Sequence, residues 1–287
     1  MKSTAAHEPA WHVEEARGWR LATPAECATR AWLPEPMPGV ALPFQPRSFR
    51  DCSLYERHWV QASRGYVRRF MPMAGLFTCA YERLLRRPFP AFQPHPLAVQ
   101  QPVYYFGNHL SFVPSGTPMR APRFTQALDY ELELGAVLAK PLHNATPEQA
   151  LDAIGGFVVV NDWSARDVQR REMGTGLGPQ KSKHFCNSMS DEVVDAADVW
   201  PHIEQLQARV EVNGVTVART STAGMLHDWG RTLSHLSMDE PLWPGELIAT
   251  GTLPHGCAME NGRWLRPGDT LHLVIEGVGE IRHRLEA

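Results

Sequence analysis

At 287 residues the chain is long enough for one large core or two unequal units, and its 43% apolar and 21% charged content is that of a globular protein. A formal net charge of −3 gives no bulk attraction for nucleic acid, and the arginines between Arg64 and Arg87 read as a solvated face rather than a phosphate track. The chain does not open on a charged and then apolar leader, and no apolar run approaches membrane-spanning length, so no membrane association is expected. Five scattered cysteines without a CxxC fit reduced thiols in a cytoplasm.

In chain order, the first 46 residues are rich in Ala, Glu, Arg and Pro, with Pro34, Pro36, Pro38, Pro43 and Pro46 breaking any long element. They are expected to form a wrapped extension, frayed at its start. From Ser48 the pattern SFRDCSLYERHWVQASRGY predicts a short amphipathic helix, with Asp51 or Ser53 near its beginning. On such a helix Asp51 and His58 would share a face roughly 10 Å apart along the axis. Spacing alone makes them an N-cap and a surface imidazole. Short strand-like runs at Val103–Phe106 and Ser111–Val113 follow, punctuated by Gly, Asn and Pro.

The segment LDYELELGAVL alternates with period two, which sets Asp129, Glu131 and Glu133 on one face. Two carboxylates about 7 Å apart repel by roughly 2–3 kcal/mol at an effective dielectric near 20. A solvated face tolerates that, whereas a half-buried face needs a cation. Oxygen ligands alone point to Mg²⁺, Mn²⁺ or Ca²⁺. Thr146-Pro147-Glu148-Gln149 is a helix start with a capping box, and Gly155-Gly156 is the expected stop.

The apolar run Phe157–Val160 then reads as a buried strand ending on Asn161-Asp162, with Arg166, Gln169 and Lys181 as donors behind it. A strand end, two upstream carboxylates and a following lysine together describe a metal site with a cationic wall. Asp162 alone would be a solvated corner. Further on, Asn213-Gly214 between two alternating runs predicts a hairpin, HDWGRTLSHLS a short helix, and Pro-Gly turns introduce the last strands. GxGxxG, Walker, GxSxG and HExxH patterns are absent from the sequence.

The succession ELE, NDWSARDVQ, KS, TGT, PGD and IEGVGE resembles the fumarylacetoacetate hydrolase superfamily over Ser48–Leu285. The resemblance implies an α+β fold, a twisted mixed β-roll with short flanking helices. Residues 1–95 would be an N-terminal extension and wrapping region carrying Asp51 and His58, and 96–287 the catalytic β-roll, in a homodimer. It also implies one Mg²⁺ (or Mn²⁺ or Ca²⁺) on Asp51, Glu131, Glu133 and Asp162, and His58 as a base oriented by Glu260. Catalytic roles fall to Lys181, Arg166 and Gln169, and substrate contacts to Tyr105, Met173 and Thr252.

The implied activity is hydrolytic cleavage of a carbon–carbon bond in a 1,3-diketo acid or acylpyruvate. The alternatives are a decarboxylase, isomerase or hydratase working through an enolate, or a binding protein of the same fold. Cys52-Ser53, Met173 and Gln180 depart from the family pattern around the substrate.

Overall fold

The computed structural model describes residues 41–287 and short stretches between 12 and 26. Most of the expected N-terminal extension, Pro34–Pro38 included, lies outside the described residues, apart from a small hairpin of His12–Glu15 with Gly18–Leu21. From there β1 (Phe49–Cys52) leads into α1 (Glu56–Phe70) and α2 (Pro72–Leu85). Next come β2 (Tyr104–Gly107), β3 (Phe112–Pro114), β4 (Met119–Arg120) and β5 (Leu128–Asp129). β6 (Leu132–Leu138), α3 (Pro147–Asp152) and β7 (Ile154–Asp162) follow. β8 (Ser164–Ala165) opens α4 (Arg166–Met173), and β9 (Asn187–Met189) lies beyond it. The last third holds the hairpin β10 (Gln207–Val212) with β11 (Val215–Ser221), then α5 (Trp229–Leu236) and β12 (Leu247–Ala249). It closes with α6 (Ala258–Asn261) and the hairpin β13 (Thr270–Ile275) with β14 (Gly279–Glu286).

Two sheets share the core. The eight-stranded one runs β2-β1-β12-β6-β7-β9-β3, with the short strand Val194–Asp195 also on β7. It is mixed, because β1–β12 and β9–β3 are parallel pairs among antiparallel ones. The five-stranded sheet runs β11-β10-β13-β14-β4. Together with the short helices this is the α+β roll that the family resemblance implies.

The larger sheet is covered on both faces, which explains why its central strands read as continuous apolar runs. Leu134, Ala136, Phe157 and Val159 join a core that includes Leu271, Leu273 and Ile281 of the smaller sheet. The alternate residues Val137, Val158, Val160 and Leu247 pack with Leu42, Phe44 and Phe49. Gly135 sits on this second face because a methyl there would lie 2.8 Å from Val160 Cγ2 and 2.9 Å from Leu247 Cδ1.

Several local expectations hold. Thr146 Oγ1 accepts from Gln149 N at 3.3 Å and Gln149 Oε1 accepts from Thr146 N at 2.9 Å, which completes the capping box. Asn213 and Gly214 adopt φ of 54° and 74°, as a two-residue hairpin turn of the primed type requires.

Others are corrected. Asp51 does not start a helix: it lies in β1, paired with Ala249 and Tyr105, and α1 begins only at Glu56. Separately, residue 95, where the division is expected, lies in the connection between β1 and β2, two strands that hydrogen-bond to each other. Gly155-Gly156 belongs to β7 rather than stopping α3. A methyl on Gly156 would meet Val193 Cγ1 at 2.5 Å, so the glycine serves a close crossing of chains.

The seam between the sheets also holds a titrating group. His283 on β14 packs against Trp163, with ring centres 5.6 Å apart and the planes tilted by 60°; its Nδ1 lies 2.8 Å from Thr117 O and its Nε2 2.8 Å from Ser188 Oγ. A neutral imidazole donating from Nδ1 satisfies both contacts, and burial lowers its pKa from the ordinary value of 6.5. The unfolded chain therefore binds the proton more readily, so this contribution to stability is complete above the unfolded value and lost as pH falls through and below it. Urea midpoints should drop between pH 7.5 and 5.0, and more shallowly in His283→Gln; an unchanged slope in that variant would remove His283 from the account.

Candidate active site

The face that is apolar at one end of the large sheet becomes acidic at the other. Phe49 and Asp51 share a side of β1, Val137, Gly135 and Glu133 a side of β6, and Val158, Val160 and Asp162 a side of β7, by the period-two rule and the ladder register. Asp51, Glu133 and Asp162 consequently meet, each offering an oxygen within 4.8 Å of the others, and all three are buried. Burial raises the Asp51 and Glu133 carboxyls well above the usual range; Asp162 adds to this at Asp51, and Asp51 with Glu131 at Glu133. Asp162 is raised by burial as well, against the pull of Lys183. Among the described residues, Asp51 Oδ1 and Glu133 Oε2 have no hydrogen-bond partner. Buried acceptors of this kind are costly unless something neutralises them. A hard divalent cation fits this donor set of carboxylate oxygens.

Glu131 differs from these three. Its Oε1 accepts from Arg166 Nη2 at 2.6 Å, and its Oε2 is ion-paired with Lys183 and lies 3.3 Å from Ser164 Oγ. Burial alone would raise Glu131, but Arg166, Lys183 and His58 outweigh it and hold the carboxyl low. Lys183 also pairs with Asp162, whose Oδ2 accepts a 2.6 Å bond from the Tyr105 hydroxyl. Asp162 and Glu131 keep the buried Lys183 ammonium charged, against the effect of its own burial.

The lysine in the site is thus Lys183 and not Lys181. Lys181 is exposed, with its ammonium 5.6 Å from the Phe124 ring centre. Residues 181–183 form a turn, so no strand or helix period distinguishes the two lysines of KSK from sequence.

Asp129 is a second residue whose place the sequence left open. Its Oδ2 accepts from Arg166 Nε at 2.7 Å, while Oδ1 and Oδ2 also accept from the backbone N–H of Ala258 at 2.7 Å and Met259 at 3.1 Å. Those amides open α6, the turn that carries Glu260. Asp129 therefore ties the guanidinium to the helix bearing Glu260. Its position on the acidic face of DYELEL was legible, but its partner amides come from 129 and 130 residues away.

His58 stands between the two groups. Its Nδ1 is 3.2 Å from Glu260 Oε2 and its Nε2 3.9 Å from Glu131 Oε1. The Nδ1 contact is close without being aligned as a hydrogen bond, so a small rotation of the ring would close it. Cys257 donates its thiol to the same Glu260 oxygen at 3.4 Å, and burial keeps that thiol protonated.

A cavity of about 440 Å³ opens over the carboxylates, bordered by His58, Tyr105, Gln169, Met173, Lys183 and Thr252. Gln169 Oε1 accepts from Arg166 Nη1 at 3.0 Å, and Thr252 Oγ1 is 3.4 Å from Glu133 Oε1. Of the residues expected at the site, Asp51, Glu131, Glu133 and Arg166 also line this cavity, Asp162 and Glu260 adjoin it through Lys183 and His58, and Lys181 stands apart.

The family described as Fumarylacetoacetate (FAA) hydrolase C-terminal matches residues 78–286. Protein Rv2993c of Mycobacterium tuberculosis is 32% identical over 63% of this chain, and the chain spans 64% of that relative's length. The human mitochondrial oxaloacetate tautomerase FAHD1 is 27% identical over 66% of this chain and 82% of its own. Among solved structures, the fumarylpyruvate hydrolase of Pseudomonas aeruginosa, in complex with Mn²⁺ and pyruvate, shares the fold with a TM-score of 0.63 at 22% identity, over 84% of this chain and 90% of that one. With the matched family spanning most of the chain and the acidic strand ends in register, the protein belongs to the fumarylacetoacetate hydrolase family.

Proposed function

We propose that the chain is a divalent-metal-dependent hydrolase that cleaves a carbon–carbon bond in a 1,3-diketo acid of the acylpyruvate type. The observation that carries this reading is the His58–Glu260 contact of 3.2 Å, set at the edge of a buried carboxylate cluster with unpartnered oxygens. Asp51, Glu133 and Asp162, joined by Glu131, would hold one Mg²⁺, Mn²⁺ or Ca²⁺. When bound, such an ion supplies Lewis-acid polarisation of a chelating keto acid.

The chain's own residues account for the rest. His58 Nε2 takes a proton from water as the hydroxide adds to the acyl carbonyl carbon, and Glu260 stabilises the imidazolium. The Lys183 ammonium and the Arg166–Gln169 pair supply donors for the developing oxyanion. When the carbon–carbon bond breaks, the proton on His58 passes to the departing carbon, giving a carboxylic acid and a smaller keto acid. A homodimer in the cytoplasm acting on a small diketo acid belongs to the same reading.

The human relative named as an oxaloacetate tautomerase supports a second reading, in which proton transfer at an enolate is the whole reaction. The two readings part at the base. For the hydrolase, His58→Ala should lower kcat by about 10²–10⁴-fold on acylpyruvates, with Glu260→Gln acting in the same direction. Mn²⁺ affinity should barely move, because histidine is not a ligand. If His58→Ala retains nearly full activity on the true substrate, or if ¹⁸O from water never enters the acid product, the hydrolytic reading falls and the tautomerase stands.

The metal assignment is tested separately. Elemental analysis of Mn²⁺-equilibrated protein should give one ion per chain, lost in Glu133→Ala. Full stoichiometry in that variant would count against these ligands.

The lysines give a matched pair. Removing one oxyanion donor costs about 3–4 kcal/mol of transition-state stabilisation, so Lys183→Met should cost hundreds-fold in kcat. Lys181→Met should cost less than about twofold, as a surface change does. The reverse order would restore Lys181 to the site.

A further inference from the structure

A second cavity, of about 560 Å³, adjoins the one over the carboxylates, and His58, Trp59, Arg166, Gln169 and Met173 border both. Its other walls come from α1, the 3-10 turn Pro90–Phe92 with Gln93, and Met259. We infer that this cavity is the acyl-arm pocket of the enzyme, and that the arm it takes is bulky, apolar and aromatic-ended. The inference rests on the acylpyruvate reading of the central site and adds the substrate class.

The chemistry of the walls argues for that arm. Trp59, Ala62, Tyr66, Phe92, Met173 and Met259 offer rings, methyls and thioethers, and Phe92 and Met259 lie buried at its base. Thioethers beside aromatic rings suit a flat apolar guest. The charged groups on this wall are largely committed elsewhere. Arg166 is held by Asp129 and Glu131. Arg170 is exposed at the mouth, where its Nη1 meets the Tyr66 hydroxyl at 3.0 Å and Met71 Sδ at 3.2 Å while its guanidinium lies 5.1 Å from the Tyr66 ring centre. It extends the wall over Tyr66 and does not point a free cation into the depth.

Met173 is the hinge of the argument. It is 53% exposed and borders both cavities, so an apolar arm crossing between them would cover it. The geometry fixes the direction of the substrate: keto-acid end over Asp51, Glu133 and Asp162, scissile bond beside His58, acyl arm across Met173 toward Phe92.

Binding tests this without turnover. Isothermal titration of the Mn²⁺-loaded protein with pyruvate and with 2-oxo-4-phenylbutanoate should show the phenyl ligand tighter by about 10–100-fold, as expected for burying one ring. In Ala62→Phe, which fills the cavity from α1, that affinity ratio should fall toward one. Val67→Phe, from the next turn, should act likewise and guards against a misfolded first variant. A ratio near one in the unaltered protein overturns the inference, as does a ratio that both variants leave untouched. A third ligand, 2-oxoadipate, decides between arms. If it binds more tightly than the phenyl ligand and loses that advantage in Arg170→Gln, the pocket is for a second carboxylate and the apolar assignment is wrong. A protein that binds the phenyl ligand as expected yet cleaves no benzoylpyruvate overturns the hydrolase reading and leaves the pocket supported.

Discussion

Among the described residues, the buried carboxylates Asp51, Asp129, Glu131, Glu133 and Asp162 face the buried cations Arg166 and Lys183. This imbalance is the constraint on which the rest of the site depends. Asp129 and Glu131 are matched by Arg166, and Lys183 serves Glu131 and Asp162 together. That leaves Asp51 and Glu133 facing each other with an unpartnered oxygen on each. Left alone, such a pair repels and takes up protons. A fold that keeps carboxylates this close in its interior gives up stability unless a further positive charge enters, and the donor chemistry selects a hard ion.

The cluster is rigid because sheet register sets it. β1, β12, β6 and β7 lie side by side, so the spacing of Asp51, Glu133 and Asp162 is set by backbone ladders and by the apolar packing of Phe49, Val137, Val158 and Val160 beneath them. Asp129 extends that order to the His58–Glu260 side by binding both Arg166 and the amides of α6. A buried carboxylate accepting several donors holds its neighbours in one arrangement at little entropic cost.

What could be read from the sequence follows the range of the interaction. Period-two alternation exposed the acidic face of DYELEL, the Thr146 box declared its helix, and Asn213-Gly214 declared its hairpin, because each is decided within a few residues. The assembly of Asp51 with Glu133 was legible only through the family resemblance, since the strand carrying Asp51 gives no alternating signal across four residues. The choice between Lys181 and Lys183 was not legible, because a turn has no period to project. Gly156 was misread for a related reason: its lack of a side chain accommodates Val193 and Val194, 37 and 38 positions downstream in the chain.

The carboxylate-bearing and outer walls are made of different material. The carboxylates stand on strands locked into the large sheet, whereas Trp59, Ala62, Tyr66 and Val67 stand on α1, within the helical connection between the neighbouring strands β1 and β2. Loops and surface helices accept substitution and changes in length more readily than central strands do. Evolution can therefore rewrite the outer side of the cavity by altering one connection while the carboxylate-bearing strands stay as they are. A lineage could diversify its substrates through the cavity-facing positions of α1 while His58 and the tightly packed Gly65 stay fixed, and a laboratory library confined to those positions would sample the same route.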